Sequence, residues 1–380
     1  MIYLDNAATT YPKPEAVYEE MDKVNRFLAV NAGRGSYKMA REVSGLISDT
    51  KNDLRNLIHA DISVSVVFAP SITIAMNQII YGLELKDHAI IYVSPYEHNA
   101  VARTLHQLSK NRKILIKELP MNVDTLDIDI ERTRYEFSKD KPDVIFCTHV
   151  SNVTGYILPV KKIFEEGKKY KSVNILDSAQ SLGLVPIDVN QLKVDIIAFA
   201  GHKTLYGPLG IGGFINITKV HLKEFITGGT GSDSLNLNMP SDNESKYEAA
   251  SPNIIAVAGL NAALKKLNQP EVLNYEVELT NYLIQQLKEV HGIRMYLPID
   301  KSSHVGIVSF TIDGMYSDDV GMILDEDFDI AVRTGYHCAP FIHKYLKDQN
   351  SLGTVRIGLS QFSLKEDIDA LVNALKELEE

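Results

Sequence analysis

Val194-Asp-Ile-Ile-Ala-Phe-Ala-Gly-His-Lys203-Thr-Leu-Tyr-Gly-Pro208 is the stretch on which the fold turns. An apolar, strand-like run stops at Gly201, His202 and Lys203, and a Tyr-Gly-Pro turn follows. A buried strand that delivers an amine to its end is a way to present a lysine to a carbonyl group. Upstream, Val173-Asn-Ile-Leu-Asp177-Ser-Ala-Gln180 ends in the same manner on a carboxylate. A lysine for an aldehyde and an acid for a ring nitrogen are the two requirements of pyridoxal 5'-phosphate chemistry.

Working outward, short β-branched runs at 64–68, 89–93, 144–148, 173–176, 195–199 and 212–217 alternate with helical patterns. That alternation predicts βα units around a mostly parallel sheet. After about residue 255 the texture changes. A helical stretch over 253–290 leads into a strand at 305–312, a helix at 317–324, and strands at 330–334 and 354–357. In the last helix Ser363 and Glu366 predict a capping box, and Ile368, Leu371, Val372, Leu375 and Leu378 share one apolar face. This second part reads as a smaller α+β domain.

Composition sets limits. The 380 residues are 45% apolar and 23% charged, ordinary for a globular chain. A net charge of −10 disfavours nucleic acid and anionic membranes, which need a positive surface. No apolar run reaches membrane-span length, and the first residues lack the pattern of a signal peptide. Two cysteines cannot make a disulfide framework. The expectation is a soluble, cytoplasmic protein.

Ligands of open α/β sheets bind beyond the carboxyl ends of the strands. Five segments place polar or reactive residues there: Pro70-Ser-Ile-Thr73, Glu97-His98-Asn, Val150-Ser-Asn152, Asp177-Ser-Ala-Gln180 and Gly201-His-Lys203. Ser71, Ile72 and Thr73 open a helix whose free N–H groups suit a phosphate, although a plain N-cap reads the same way. His98 suits stacking on a pyridine ring and proton transfer, its ordinary pKa being near neutral; a hydrogen-bonded loop histidine is the alternative. Asp177 ends an apolar strand, where a lone carboxylate is unfavourable, so a protonated ring nitrogen or a turn cap is its partner. Gln180 and Asn152 suit a phenolic oxygen, and Asn152 also a substrate carboxylate; as isolated amides both equally satisfy loops.

Cys338 lies in Val332-Arg-Thr-Gly-Tyr-His-Cys-Ala-Pro340 and reads as a loop thiol whose neighbours Arg333 and His337 favour the thiolate. Cys147 sits inside a strand run and reads as a buried apolar residue. The spacing of His337, Cys338 and His343 matches no common zinc pattern. Arg356 suits a bidentate carboxylate or an ordinary ion pair.

Assembled, these residues resemble the class V aminotransferase family, and within it the cysteine desulfurases. The likeness runs through Tyr3-Leu-Asp-Asn-Ala-Ala-Thr-Thr, Asn31-Ala-Gly-Arg-Gly, Glu97-His-Asn, Thr148-His-Val-Ser-Asn-Val-Thr-Gly, Asp177-Ser-Ala-Gln, Gly201-His-Lys, Gly228-Gly-Thr-Gly-Ser and Ser251-Pro-Asn. Arg333-Thr-Gly-Tyr-His-Cys-Ala-Pro is similar to the cysteine loop of the group II (SufS-like) members. The resemblance implies a fold type I pyridoxal phosphate enzyme, α/β, with a mostly parallel seven-stranded sheet and a smaller α+β C-terminal domain. It implies a large domain over 16–255 and a small one from 1–15 and 256–380, working as a homodimer. It also implies Lys203 as Schiff-base lysine, His98 stacking, Asp177 on the ring nitrogen and Gln180 on the phenolic oxygen. Ser71, Ile72, Thr73 and His202 would surround the phosphate, and Thr230 would reach the neighbouring subunit's phosphate. Asn152 and Arg356 would bind L-cysteine or a related sulfur or selenium amino acid. Cys338 would take the sulfur and hand it to an acceptor, such as a protein.

Three positions depart from the family's pattern. Ala200 stands where Ser or Thr is usual, Ile72 where a small residue is usual, and Tyr336 where group II members often carry His. Another activity of the same fold remains open: an aminotransferase, a selenocysteine lyase or another C–S lyase. So does a non-catalytic scaffold, for which Ala200 and Ile72 are the support.

Overall fold

In the computed structural model of the chain, which describes residues 1–32, 37–231, 235–242 and 244–378, the apolar runs become strands within a residue or two of the expected places. The first part runs β1 (Ile2–Tyr3), α1 (Glu15–Phe27), α2 (Lys38–Leu57), β2 (Ser65–Ala69), α3 (Ile72–Gly82), β3 (Ala89–Val93), α4 (Asn99–Ser109), β4 (Ile114–Glu118), α5 (Ile130–Lys139), β5 (Val144–Thr148), α6 (Val160–Lys168), β6 (Val173–Asp177), β7 (Ile196–Ala200) and β8 (Gly212–Asn216). The second runs α7 (Ile254–Lys266), α8 (Gln269–Leu287), β9 (Ile293–Tyr296), β10 (Ile307–Ile312), α9 (Ser317–Phe328), β11 (Ile330–Ala331), α10 (His343–Leu346), β12 (Val355–Gly358) and α11 (Lys365–Glu377).

Seven strands form one sheet in the order β2-β8-β7-β6-β5-β3-β4, and only β8 runs against the rest. The central strands β5 to β8 are buried almost throughout, as parallel strands covered on both faces must be. At one edge β4 is only partly buried, with Leu115 exposed and Lys117 and Glu118 in its sequence, so its apolar signal is weaker than that of its neighbours. At the other, the outward N–H groups of Val66 and Phe68 on β2 donate to Glu244 and Glu248, whose charges are met by Lys51 and Arg55. Those carboxylates close an edge that would otherwise be open to another strand.

Three-stranded sheet β12-β10-β9 is antiparallel, and α11 lays Ile368, Leu371, Val372 and Leu375 on it, with Leu378 partly buried beside them. Three expectations change here. The helical stretch over 253–290 is two helices, broken at Leu267 and Asn268, because Pro270 sits in the first turn of α8 and a proline fits only there. The capping box does not use Ser363 and Glu366. The Ser363 hydroxyl accepts from Ser360 N–H, so the helix opens one residue later, with the Asp367 carboxylate on Leu364 N–H. The strand expected at 330–334 is only Ile330–Ala331, since Arg333 turns away to bridge Arg356.

Candidate active site

The carboxyl ends of β2, β3, β5, β6 and β7 all open on one side of the large sheet, and the sequence-predicted residues follow them. β6 and β7 are neighbours, with Asp177 opposite Ala198, which sets the acid beside the strand that carries Lys203. Asp177 is buried and accepts from Ala179 N–H at 2.9 Å. Burial pushes its carboxyl up, against the pull of that N–H and the Lys203 charge. Lys203 is partly exposed as a residue, and desolvation brings its amine down to about 8, partly opposed by Asp177.

His98 caps α4, its Nδ1 accepting from Ala100 N–H at 3.0 Å. That bond leaves the proton of the neutral ring on Nε2. Desolvation, then the charges of Lys203, Arg333, Arg356 and Arg103, bring His98 down to about 4. The near-neutral value expected from sequence is therefore corrected, because the partly exposed ring loses solvent and stands among cations. Ser71 caps α3, its Oγ accepting from Ile74 N–H. Ile72 points into the core, and the Thr73 side chain is exposed. Gly212 on β8 crosses close to this helix start: a Cβ there would lie 2.8 Å from Ile72 N.

His202 is held by its carbonyl, which accepts from Thr9 Oγ1, Thr10 N–H and Oγ1, and Lys13 Nζ. Its Nδ1 is buried without a partner. Gln180 donates to Ala7 O at 2.7 Å, so its amide nitrogen serves the N-terminal segment. Thr230 lies in an irregular stretch beyond β8. In the glycine-bearing motifs, 33–35 and Ser232 fall outside the described residues.

Arg356, on β12, is 1% exposed. Its Nη2 meets Asp5 Oδ1 at 2.6 Å, Nη1 donates to Asn152 O at 3.0 Å, and Nε has no partner. Both sequence readings thus meet at one residue: the ion pair exists, and a buried donor edge is left over. Asn152 spends its amide nitrogen on His337 O at 2.7 Å.

The cysteine loop is tied down along its length. Thr354 N–H donates to Gly335 O, His337 Nε2 contacts Thr354 Oγ1 at 2.8 Å, and Asn99 N–H donates to Cys338 O at 2.7 Å. His337 and Cys338 take left-handed backbone angles, φ +46° and +57°, which such bonds must hold. Arg333 Nη2 lies 3.4 Å from Cys338 Sγ, placed to meet negative charge on the sulfur. His343 Nδ1 contacts Asp348 at 2.5 Å and its Nε2 contacts Tyr336 O at 3.0 Å. Among the described residues no three metal-ligating side chains converge. Cys147 is fully buried, and burial pushes its thiol up.

Sequence reasoning gave no role to Asp5, Lys13 or Glu97. Glu97 is sealed behind Asp177, bonded to Ser94 and Thr148 N–H, and brought up to about 7 by burial and by Asp177. A carboxylate directly before His98 was the available signal. No local pattern announces Asp5, whose partner is 351 positions away.

These residues fit pyridoxal phosphate. Asp177 is a buried acid without a full counter-charge, Lys203 is an amine held near neutrality, and His202 Nδ1 and the start of α3 leave polar groups unused. A protein from Halalkalibacterium halodurans described as a probable cysteine desulfurase is 33% identical over all of this chain and 93% of its own length. One from Pyrococcus abyssi with the same description is 30% identical over all of this chain and 94% of its length. Among solved structures, an apo cysteine desulfurase from Thermococcus onnurineus NA1 superposes with TM-score 0.91 at 27% identity, covering 99% of this chain and 94% of that one. The S-sulfonic acid form of a cysteine desulfurase from Escherichia coli gives 0.83 at 26%, with the same coverage. The sequence model described as Aminotransferase class-V matches residues 2–371. With a fold type I sheet and a lysine, an acid and a histidine gathered at its strand ends, the chain belongs to the class V aminotransferase family.

Proposed function

We propose that this protein is a pyridoxal phosphate-dependent cysteine desulfurase, converting L-cysteine to L-alanine and leaving a persulfide on Cys338. The observation that carries the reading is the bond from Asn99 N–H to Cys338 O, which seats a thiol one residue beyond His98. When bound, the cofactor supplies a carbonyl for the substrate amine and a conjugated ring that spreads charge from the reacting carbon.

The protein's own residues do the rest. Lys203 would hold the cofactor and, when free of it, would carry the Cα proton; an amine brought down to about 8 suits taking up and returning that proton near neutral pH. Asp177 keeps the ring nitrogen protonated. Neutral His98 stacks without adding a charge that would oppose it. Gln180 would serve the phenolic oxygen, and Ser71, Ile72, Thr73 and His202 would surround the phosphate. The free edge of Arg356, with Asn152, receives the substrate carboxylate. The Cys338 thiolate forms a bond to the substrate sulfur as the carbon–sulfur bond breaks, and the electron pair left on that carbon takes up a proton to give the methyl group of alanine. Arg333 balances charge on Cys338.

Residues 16–255 are taken as the cofactor-binding unit, and 1–15 with 256–380 as the unit that brings the thiol. A homodimer in which Thr230 serves the partner's phosphate completes the reading, as does a cytoplasmic setting.

The deciding experiment incubates the loaded protein with cysteine and a reductant and measures alanine, sulfide and keto acid. Wild type is expected to give equal alanine and sulfide. Cys338→Ala is expected to keep the visible cofactor band and lose alanine formation. Full turnover in Cys338→Ala would remove the persulfide step, and keto acid in place of alanine would make the enzyme an aminotransferase.

A further inference from the structure

An open cavity of about 1060 Å³ adjoins Cys338, and neither Lys203 nor Asp177 lines it. It stands at the top of the range for small-molecule sites, roughly 300–1,000 Å³, and far exceeds what one cysteine fills. Leu105, Ile116 and Phe341 give it an apolar floor. Its charged rim is Arg103, Arg333 and Lys344 against Glu118.

The charges on that rim do not cancel. Lys344 is already paired with Glu118. Arg103 and Arg333 have no carboxylate partner among the described residues, and Arg333 spends one N–H on Cys338 Sγ. Arg103 stands one turn into α4, close enough that its charge is felt at His98. The interior arginine, Arg356, is a separate matter: it is buried and already bonded to Asp5 and Asn152. Two uncompensated guanidiniums at the mouth of an apolar cleft focus a positive field and concentrate anions there.

We propose that this cavity is the acceptor subsite for a low-molecular-weight thiol that carries an anionic group and removes the sulfur from Cys338. The proposal rests on the desulfurase reading above. The acceptor thiol loses its proton to solvent, and its thiolate attacks the outer sulfur of the Cys338 persulfide. A bond forms between acceptor sulfur and outer sulfur, the bond from that sulfur to Cys338 Sγ breaks, and the electron pair stays on Sγ as thiolate beside Arg333. No external oxidant or reductant is consumed, because the sulfur only changes carrier.

The first test needs no substrate. Cys338 of the holoenzyme is alkylated with iodoacetate and with iodoacetamide, which differ in charge, and modification is read by mass spectrometry. The iodoacetate-to-iodoacetamide rate ratio is expected to fall about 5-fold in Arg103→Ser, as for the loss of roughly 1 kcal/mol of exposed charge attraction. It should recover in Arg103→Lys and decline in wild type as salt is added. A ratio unmoved by the substitution, or by salt should Arg103→Ser not fold, overturns the anion subsite whether or not the enzyme desulfurates cysteine. The second test compares 2-mercaptoethanesulfonate with 2-mercaptoethanol as acceptors from the persulfide. The anionic thiol is expected to be about 5-fold faster in wild type and no faster in Arg103→Ser, with alanine formation under excess neutral reductant unchanged. Equal rates in wild type, or discharge to a protein carrier alone, overturn the acceptor assignment. Failure of wild type to make alanine overturns the desulfurase reading and, with it, the acceptor role, but not the alkylation result.

Discussion

Lys203 and Asp177 sit on adjacent strands, and each is shifted by the same burial in the direction that opposes its own charge. Neutral amine attacks an aldehyde, so loading of cofactor-free protein should quicken as pH rises through about 8, where Lys203 gives up its proton. A loading rate flat from pH 7 to 9 would contradict this, and Lys203→Ala should show no visible cofactor band at any pH. Arg356 is the second residue whose geometry makes a number. It is tied on two nitrogens and open on Nε, and lysine cannot reproduce that fork. Arg356→Lys should raise KM for cysteine about 10- to 100-fold, as for losing one charged hydrogen bond of roughly 1.5–3 kcal/mol. The visible band should stay unchanged, which steady-state kinetics and a spectrum together check.

At the scale of elements, α11 carries one fully buried apolar stripe, while the Tyr282 hydroxyl reaches Asp369 on its exposed side. Leu371 is fully buried among Val308, Phe310 and Ile357, so Leu371→Ala should destabilise by about 2–5 kcal/mol in denaturant unfolding. An effect under 1 kcal/mol would mean that the helix is not anchored there. That stripe was legible in the sequence because a 3.6-residue period needs no knowledge of the partner. The strand ends carrying Asp177 and Lys203 were legible for a like reason: an apolar run that halts on a charged residue marks both the strand and its ligand side. The break between α7 and α8 was legible only through Pro270, which an otherwise continuous helical pattern hid. Asp5 on Arg356 and Lys13 on the His202 carbonyl were illegible. They join residues far apart in sequence, and no period or motif encodes such a pairing.

Glu276 concerns the whole molecule, since it stands on α8 and meets Tyr206 from the loop after β7 at 3.3 Å. Desolvation brings its carboxyl up to about 8, with the Tyr206 bond opposing. The unfolded chain releases this proton near pH 4.5, while the folded one keeps it until about 8. Between those values the native state binds more protons, so this group's contribution to stability falls as pH rises. Glu276→Gln should remove that decline: relative to wild type its melting temperature should gain steadily from pH 5 to 8 and level off above, an effect on the order of a few kcal/mol. Parallel profiles for the two proteins would show that Glu276 ionises normally. The cysteine loop also joins the two sheets, and its bonds to Asn99 and Asn152 fix the sulfur in place. A cargo that cannot be swung outward must be fetched. Turnover at saturating cysteine should then rise with the concentration of the carrier and slow in viscous solvent, as encounter-limited delivery does.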